Sequence, residues 1–167
     1  RAGLLTTHNG GTYTHMVIKN NAGAGYSETG SIYSDPGQTY SGLTFDHNIF
    51  LNLSAHPPYF WNGLRYTLTQ FQAATGHETH SQSADPRFAN PSTNDFTLQS
   101  TSPAVDAGTF LTTTVGSGSG TSLTVADAGY FMDGFGLVAG DMMQVGSNSP
   151  VQITAIDYGT NTITVAR

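Results

Sequence analysis

Residues 77–108 read HETHSQSADPRFANPSTNDFTLQSTSPAVDAG, and the reading of this stretch decides the fold. It is polar and carries three prolines. Asp85-Pro86 and Asn90-Pro91 start turns, because Asp and Asn side chains bond their own backbone and proline presets φ. Phe88 and the Phe96–Leu98 pair are its apolar plugs. No common catalytic motif fits it. Its composition suits a segment that closes a stack of strands, whose end exposes an apolar cross-section and unpaired edges.

Immediately upstream, Thr67 and Gln70 fit a capping box, Leu68, Phe71 and Ala74 fall on one helical face, and Gly76 suits the C′ position. The spacing predicts a short helix lying as a lid over the strands before it. Residues 53–66 hold the densest aromatic group: His56, Tyr59, Phe60, Trp61 and Tyr66. Further back, His15-Met16-Val17-Ile18-Lys19-Asn20-Asn21 and Leu43-Thr44-Phe45-Asp46-His47-Asn48 both read as a short strand closing on an Asn turn. The interval from Asn21 to Asn48 (48 − 21 = 27) is a plausible coil length for a β-solenoid. That register stacks Ile18 on Phe45 facing inward, Lys19 on Asp46 facing outward, and Asn21 on Asn48 as an amide ladder.

Downstream the character changes. The Gly/Ser run over 115–120 is a linker or loop. Alternating strands follow at 122–125, 141–145, 151–156 and 162–165, the last two joined by the five-residue loop Asp157-Tyr158-Gly159-Thr160-Asn161. The expected division is 1–108 and 109–167, the second part a small antiparallel β-barrel or sandwich.

The order His80-Ser81, Asp85-Pro86-Arg87-Phe88, Asp95-Phe96-Thr97-Leu98 and Ser102-Pro103-Ala104-Val105-Asp106-Ala107-Gly108 resembles the terminating segment of bacterial right-handed parallel β-helix proteins of the pectate/alginate lyase type. The resemblance covers roughly residues 12–167; its motifs are short, and their order is more specific than any one of them. It implies an all-β chain: the last coils of a right-handed parallel β-helix, a short helix, a cap, and an appended β-module. It also implies a secreted or cell-surface protein with a polysaccharide as partner. No cofactor is required, and calcium is the cation that the family's chemistry admits. The chain opens at Arg1 without Met or signal peptide and stops at Arg167 after a strand-like run, so both ends read as cuts through a longer precursor.

Charged residues make up only 10% of the chain, so its surface is satisfied by hydroxyls and amides, as in many extracellular all-β proteins. A net charge of −6, with Lys19 the sole lysine, argues against nucleic acid and against an anionic membrane surface. No apolar run approaches the ~18 residues of a membrane span. The absence of cysteine excludes disulfides and thiolate metal sites.

Chemistry has few candidates. Lys19, Asp46, His47 and Arg65 are the outward polar groups nearest a groove. β-Helix lyases take a proton beside a uronate carboxylate with a Lys, Arg or His base, and neutralise that carboxylate with cations. Lys19 and Arg65 are the residues available for such parts, some two coils apart; the family's catalytic lysine and arginine sit on central coils, and a Lys19–Asp46 ion pair is the stronger reading. Asp46 with Glu28 or Asp35 offers paired carboxylates for glycoside hydrolysis, although Asp35, before Pro36, reads as a turn residue. Tyr59, Phe60, Trp61 and Tyr66 are candidates for stacking on sugar rings, with Tyr59, Trp61 and Tyr66 the leading three, against the competing role of packing the last coil. His77-Glu78-Thr79-His80 invites a metal, but a helical zinc site spaces its histidines by four, and here the spacing is three.

Three functions remain open: the capping end of a polysaccharide lyase or hydrolase whose catalytic coils lie elsewhere, a structural or adhesive protein self-associating through strand edges, and a carbohydrate-binding module.

Overall fold

The computed structural model describes residues 5–7, 10–26, 31–53, 55–117 and 120–167. It is all-β with one short α-helix among the described residues, and it falls into two compact units, Arg1–Thr109 and Phe110–Arg167.

The first unit is built from stacked layers that repeat every 27 residues, the interval from Gly11 to Gln38, Asn21 to Asn48 and Ser31 to Pro58. Strands β1 (Leu5–Thr7), β2 (Thr12–Thr14), β3 (Val17–Lys19) and β4 (Ala22–Tyr26) form one layer. Strands β5 (Ile32–Ser34), β6 (Thr39–Ser41), β7 (Thr44–Asp46) and β8 (Ile49–Asn52) form the next. Each strand pairs in parallel with its counterpart: Leu5 with Ile32, Tyr13 with Tyr40, Ile18 with Phe45, Ala22 with Ile49. The expected register is therefore the one the chain adopts, down to Lys19 opposite Asp46.

Short strands alternate with left-handed corners. Gly10 and Gly37, His15 and Gly42, and Asn20 and His47 all have positive φ at equivalent positions. Glycine reaches this region freely, and Asn and His are among the residues that tolerate it best. The ladder runs on through the corners, with His15 N–H donating to Ser41 O and Asn20 N–H to His47 O at 2.9 and 3.1 Å. The amide ladder is also present: Asn21 Nδ2 donates to Asn48 Oδ1 at 2.9 Å.

A third layer starts and is cut short. Strand β9 (Tyr59–Trp61) pairs in parallel with β5, one repeat further on, with Tyr59 opposite Ile32. Asn62 and Gly63, both at positive φ, then reverse the chain into β10 (Leu64–Tyr66), antiparallel to β9. Asn-Gly is the strongest two-residue hairpin signal, and it stands in the sequence within the aromatic group. Helix α1 (Leu68–Thr75) follows with the expected capping box, and Gly76 closes it in the left-handed conformation. Its Phe71 is fully buried with Ile32, Phe45, Phe50 and Tyr59, so the helix is the lid on this core.

The stretch 77–108 differs in part from expectation. Residues 78–82 run along the edge of β7 and β8: Glu78 N–H donates to Phe45 O and Gln82 N–H to Asn48 O. These residues cap by backbone pairing. Phe88 and the Phe96–Leu98 pair do not plug the core. They lie on a hairpin of β11 (Phe88–Asn90) and β12 (Asp95–Leu98), where Phe96 is 57% exposed and meets Phe88 edge-to-face. The core was already closed by Phe71, which left these rings without an apolar surface to cover.

In residues 110–167, β13 (Ser122–Thr124), β14 (Met142–Met143), β15 (Val151–Asp157) and β16 (Thr162–Val165) form one antiparallel sheet in the order β13-β16-β15-β14. Val125, Ala128, Met143, Ile153, Ile163 and Val165 are its core. Among the described residues neither a closed barrel nor a two-sheet sandwich forms: β14 is two residues long and β13 does not pair with it.

Candidate functional site

The polar residues of the first unit converge at the corner between β7 and β8. Asp46 is the last residue of β7, and the left-handed φ of His47 turns the chain into β8. After α1, the left-handed residues Gly76 and Glu78 fold the chain back over the same corner. This carries His80 onto His47, the rings stacking at 4.8 Å and 10°.

Asp46 is the hub. Its Oδ1 accepts from the backbone N–H groups of His47 and His80 at 2.9 and 2.7 Å. Its Oδ2 lies 2.7 Å from His80 Nδ1, and Thr79 Oγ1 donates to it at 3.4 Å. Partial burial works to raise the Asp46 pKa, but the hydrogen bonds from the His80 ring and the two backbone N–H groups outweigh it and hold the carboxyl below its ordinary value. His47 Nδ1 lies 3.2 Å from Ala107 O, so the end of the 77–108 stretch braces this ring. One ligand atom each from Asp46, His47 and His80 lie within 4.8 Å of one another. The two imidazoles and one carboxylate suit a borderline cation such as zinc; calcium, which takes six to eight oxygen ligands, does not fit them.

The residues of His77-Glu78-Thr79-His80 do not act as one ligand set. His77 tilts against the Phe45 ring at 5.2 Å. Burial pushes its pKa down, with the Asp46 charge opposing. Glu78 is fully buried and extends the amide ladder, where Asn48 Nδ2 donates to both of its oxygens and Ser81 Oγ donates to Oε2. Burial raises its pKa, partly offset by those hydrogen bonds. Of the expected metal candidates, His80 alone joins the cluster, with Asp46 and His47 from the catalytic candidates. The sequence carried no signal for this, because the insertion of β10 and α1 breaks the repeat.

The remaining candidates are dispersed. Lys19 keeps its place opposite Asp46 in the parallel ladder. Arg65 lies on β10 opposite Phe60, its guanidinium 5.5 Å from that ring. Tyr59 is 2% exposed and stacks on Phe71 at 4.6 Å, so it is core and offers no face to a sugar. Trp61 packs edge-on against Phe71 and Phe45 and stacks on Tyr40 at 4.4 Å; Tyr66 meets Phe71 edge-on. Of Tyr59, Phe60, Trp61 and Tyr66, Phe60 is the one whose ring faces outward. It stacks on Tyr33 at 4.6 Å and, with Arg65, makes a half-exposed strip of two rings and a cation. Strict alternation along β9 was the signal: with Tyr59 inward, Phe60 must face out. Asp35 hydrogen-bonds the Tyr33 hydroxyl and pushes its pKa up, while Glu28 lies outside the described residues.

In the second unit, the sheet curls over a groove of about 860 Å³ lined by Val115, Leu123, Met143, Val145, Val151 and Val165 among others. No helix among the described residues is long and apolar enough to cross a membrane. No known family, curated protein or solved structure matches the chain.

Proposed function

We propose that residues 1–109 are the closing end of a right-handed parallel β-helix in a secreted or cell-surface protein that acts on polysaccharide, and that this end presents a glycan-contacting strip. The observation that carries the reading is the repeating parallel register with its amide ladder, ended by a lid helix and a backbone cap. Stacked parallel strands place equivalent side chains in columns about 4.8 Å apart, a repeat suited to an extended polymer. The Tyr33–Phe60 stack with Arg65 supplies an apolar platform beside a cation, the pairing that holds a sugar ring and an acidic substituent.

The test is affinity electrophoresis of the intact chain through gels holding polygalacturonate, alginate or a neutral glucan. Parallel ultraviolet assays follow the unsaturated uronate that a lyase would release. The expected result is retardation by a uronate polymer, lost in a Phe60→Ala/Arg65→Ala variant, without turnover. Absence of retardation in every gel would sink the glycan-contact reading, and robust turnover would overturn the assignment of the catalytic coils elsewhere.

A second reading is favoured by one observation: β2, β3 and β4 pair on one side alone among the described residues. Such an edge supports self-association by strand addition, as in a fibre or adhesive surface protein. Light scattering separates the two, because a monomer at high concentration removes the fibre reading.

A further inference from the structure

We infer that Asp46, His47 and His80 form a binding site for a zinc-like divalent cation, a property independent of the glycan reading. Two imidazole nitrogens and a carboxylate are the ligands that borderline transition cations prefer, and three protein ligands leave a fourth position for water or substrate.

The ligands are also braced from behind. The Ala107 carbonyl can only accept, so His47 Nδ1 carries the proton there and Nε2 keeps its lone pair for a metal. An imidazole held by a backbone carbonyl on its far nitrogen is the usual outer-shell arrangement of metal-binding histidines. The Asp46 carboxylate is likewise held, since Oδ1 takes two backbone N–H groups and Oδ2 is left facing His80. These braces come from separate parts of the chain, the corner after β7, the turn at 78–80 and the segment ending at Ala107.

The spacing of the donors is close to what a metal needs. With Zn–N near 2.0–2.1 Å, tetrahedral ligand atoms stand about 3.4 Å apart. One ligand atom from each of the three residues already lies within 4.8 Å of the others, and the His80 side chain is 65% exposed and able to close the remainder by rotation. A cation entering between His80 and Asp46 takes the place of the proton on His80 Nδ1: a neutral ring then carries its proton on Nε2, and an imidazolium gives one proton to solvent. Thr79, against Oδ2, is the other side chain bonded to the carboxylate, and Lys19 stands opposite Asp46 in the ladder. The ammonium of Lys19 opposes a cation at this carboxylate.

The experiment titrates the intact, metal-free 167-residue chain with zinc by isothermal calorimetry and follows histidine ring signals by NMR. The expected result is saturable one-to-one binding that moves the His47 and His80 rings and leaves His15 and His56 in place. His80→Ala and His47→Asn should each weaken binding at least tenfold; asparagine tolerates the left-handed corner, so the fold survives. Lys19→Met should tighten it, and millimolar calcium should not displace the zinc. Affinity unchanged in both histidine variants, ring shifts confined to other histidines, or calcium competing at equal concentration would each overturn the assignment.

Discussion

Asn48 donates its side-chain amide to both oxygens of the Glu78 carboxylate, at 3.2 and 3.0 Å, with both residues sealed from solvent. The same Asn48 accepts from the backbone and side chain of Asn21, so a continuous polar thread runs through three levels of the first unit. Glu78→Ala removes the acceptor of the Ser81 hydroxyl and of the Asn48 N–H that faces Glu78, while Asn48 keeps its bond to the Ile18 carbonyl. An orphaned buried polar group costs roughly 1–3 kcal/mol. Urea unfolding followed by the fluorescence of Trp61, the single tryptophan, reads this loss directly.

Glu78 also makes stability fall with rising pH. Its folded pKa is raised, so its contribution is complete below the ordinary carboxylate pKa of about 4.3 and is lost as pH climbs through the folded value. Glu78→Gln removes that dependence. The variant should match the wild type in acid and exceed it at neutral pH, measured as the difference in urea midpoints across pH 4–8. A difference constant with pH would refute the buried-acid account.

Phe71 has no exposed surface and touches Tyr59, Trp61 and Tyr66. Phe71→Ala should cost about 3–5 kcal/mol, the usual loss on emptying an aromatic site in a core. The helix is short and contributes little stability alone, so its far-ultraviolet signal should be lost with the core in a single transition.

Within residues 110–167, Gly140 is the tightest position. A Cβ there would run into the Ile153 carbonyl oxygen and the backbone of Asp133. Gly140→Ala should destabilise this unit by roughly 1–3 kcal/mol through overpacking. Hydrogen exchange checks it: amides of β15 lose protection while those of 5–109 keep theirs.

The parts of this fold legible in the sequence are those set by local chemistry or by close repetition. The Asn21–Asn48 spacing revealed the parallel register because each layer repeats the same corner. Thr67, Gln70 and Gly76 announced the helix because caps act within a few residues. Glu78 was not legible as a ladder member, since a carboxylate there replaces the amide of the layers before it and falls out of step with the repeat. The pairing of His80 with Asp46 depends on the length of β10 and α1, a tertiary matter without periodic signature. Phe96 read as a plug because hydrophobicity alone does not say that the core has already been closed by Phe71.

The left-handed corners turn the first unit into a ruler. Gly10, His15 and Asn20 recur as Gly37, Gly42 and His47, so each of these three corners is matched by a corner in the next layer. Duplicating or removing one whole layer preserves that match. A single-residue insertion shifts every later corner onto a residue selected for a strand, each then bearing the steric penalty of positive φ. The corner register therefore accommodates added length in whole layers, and shorter insertions only in the loops between the strands.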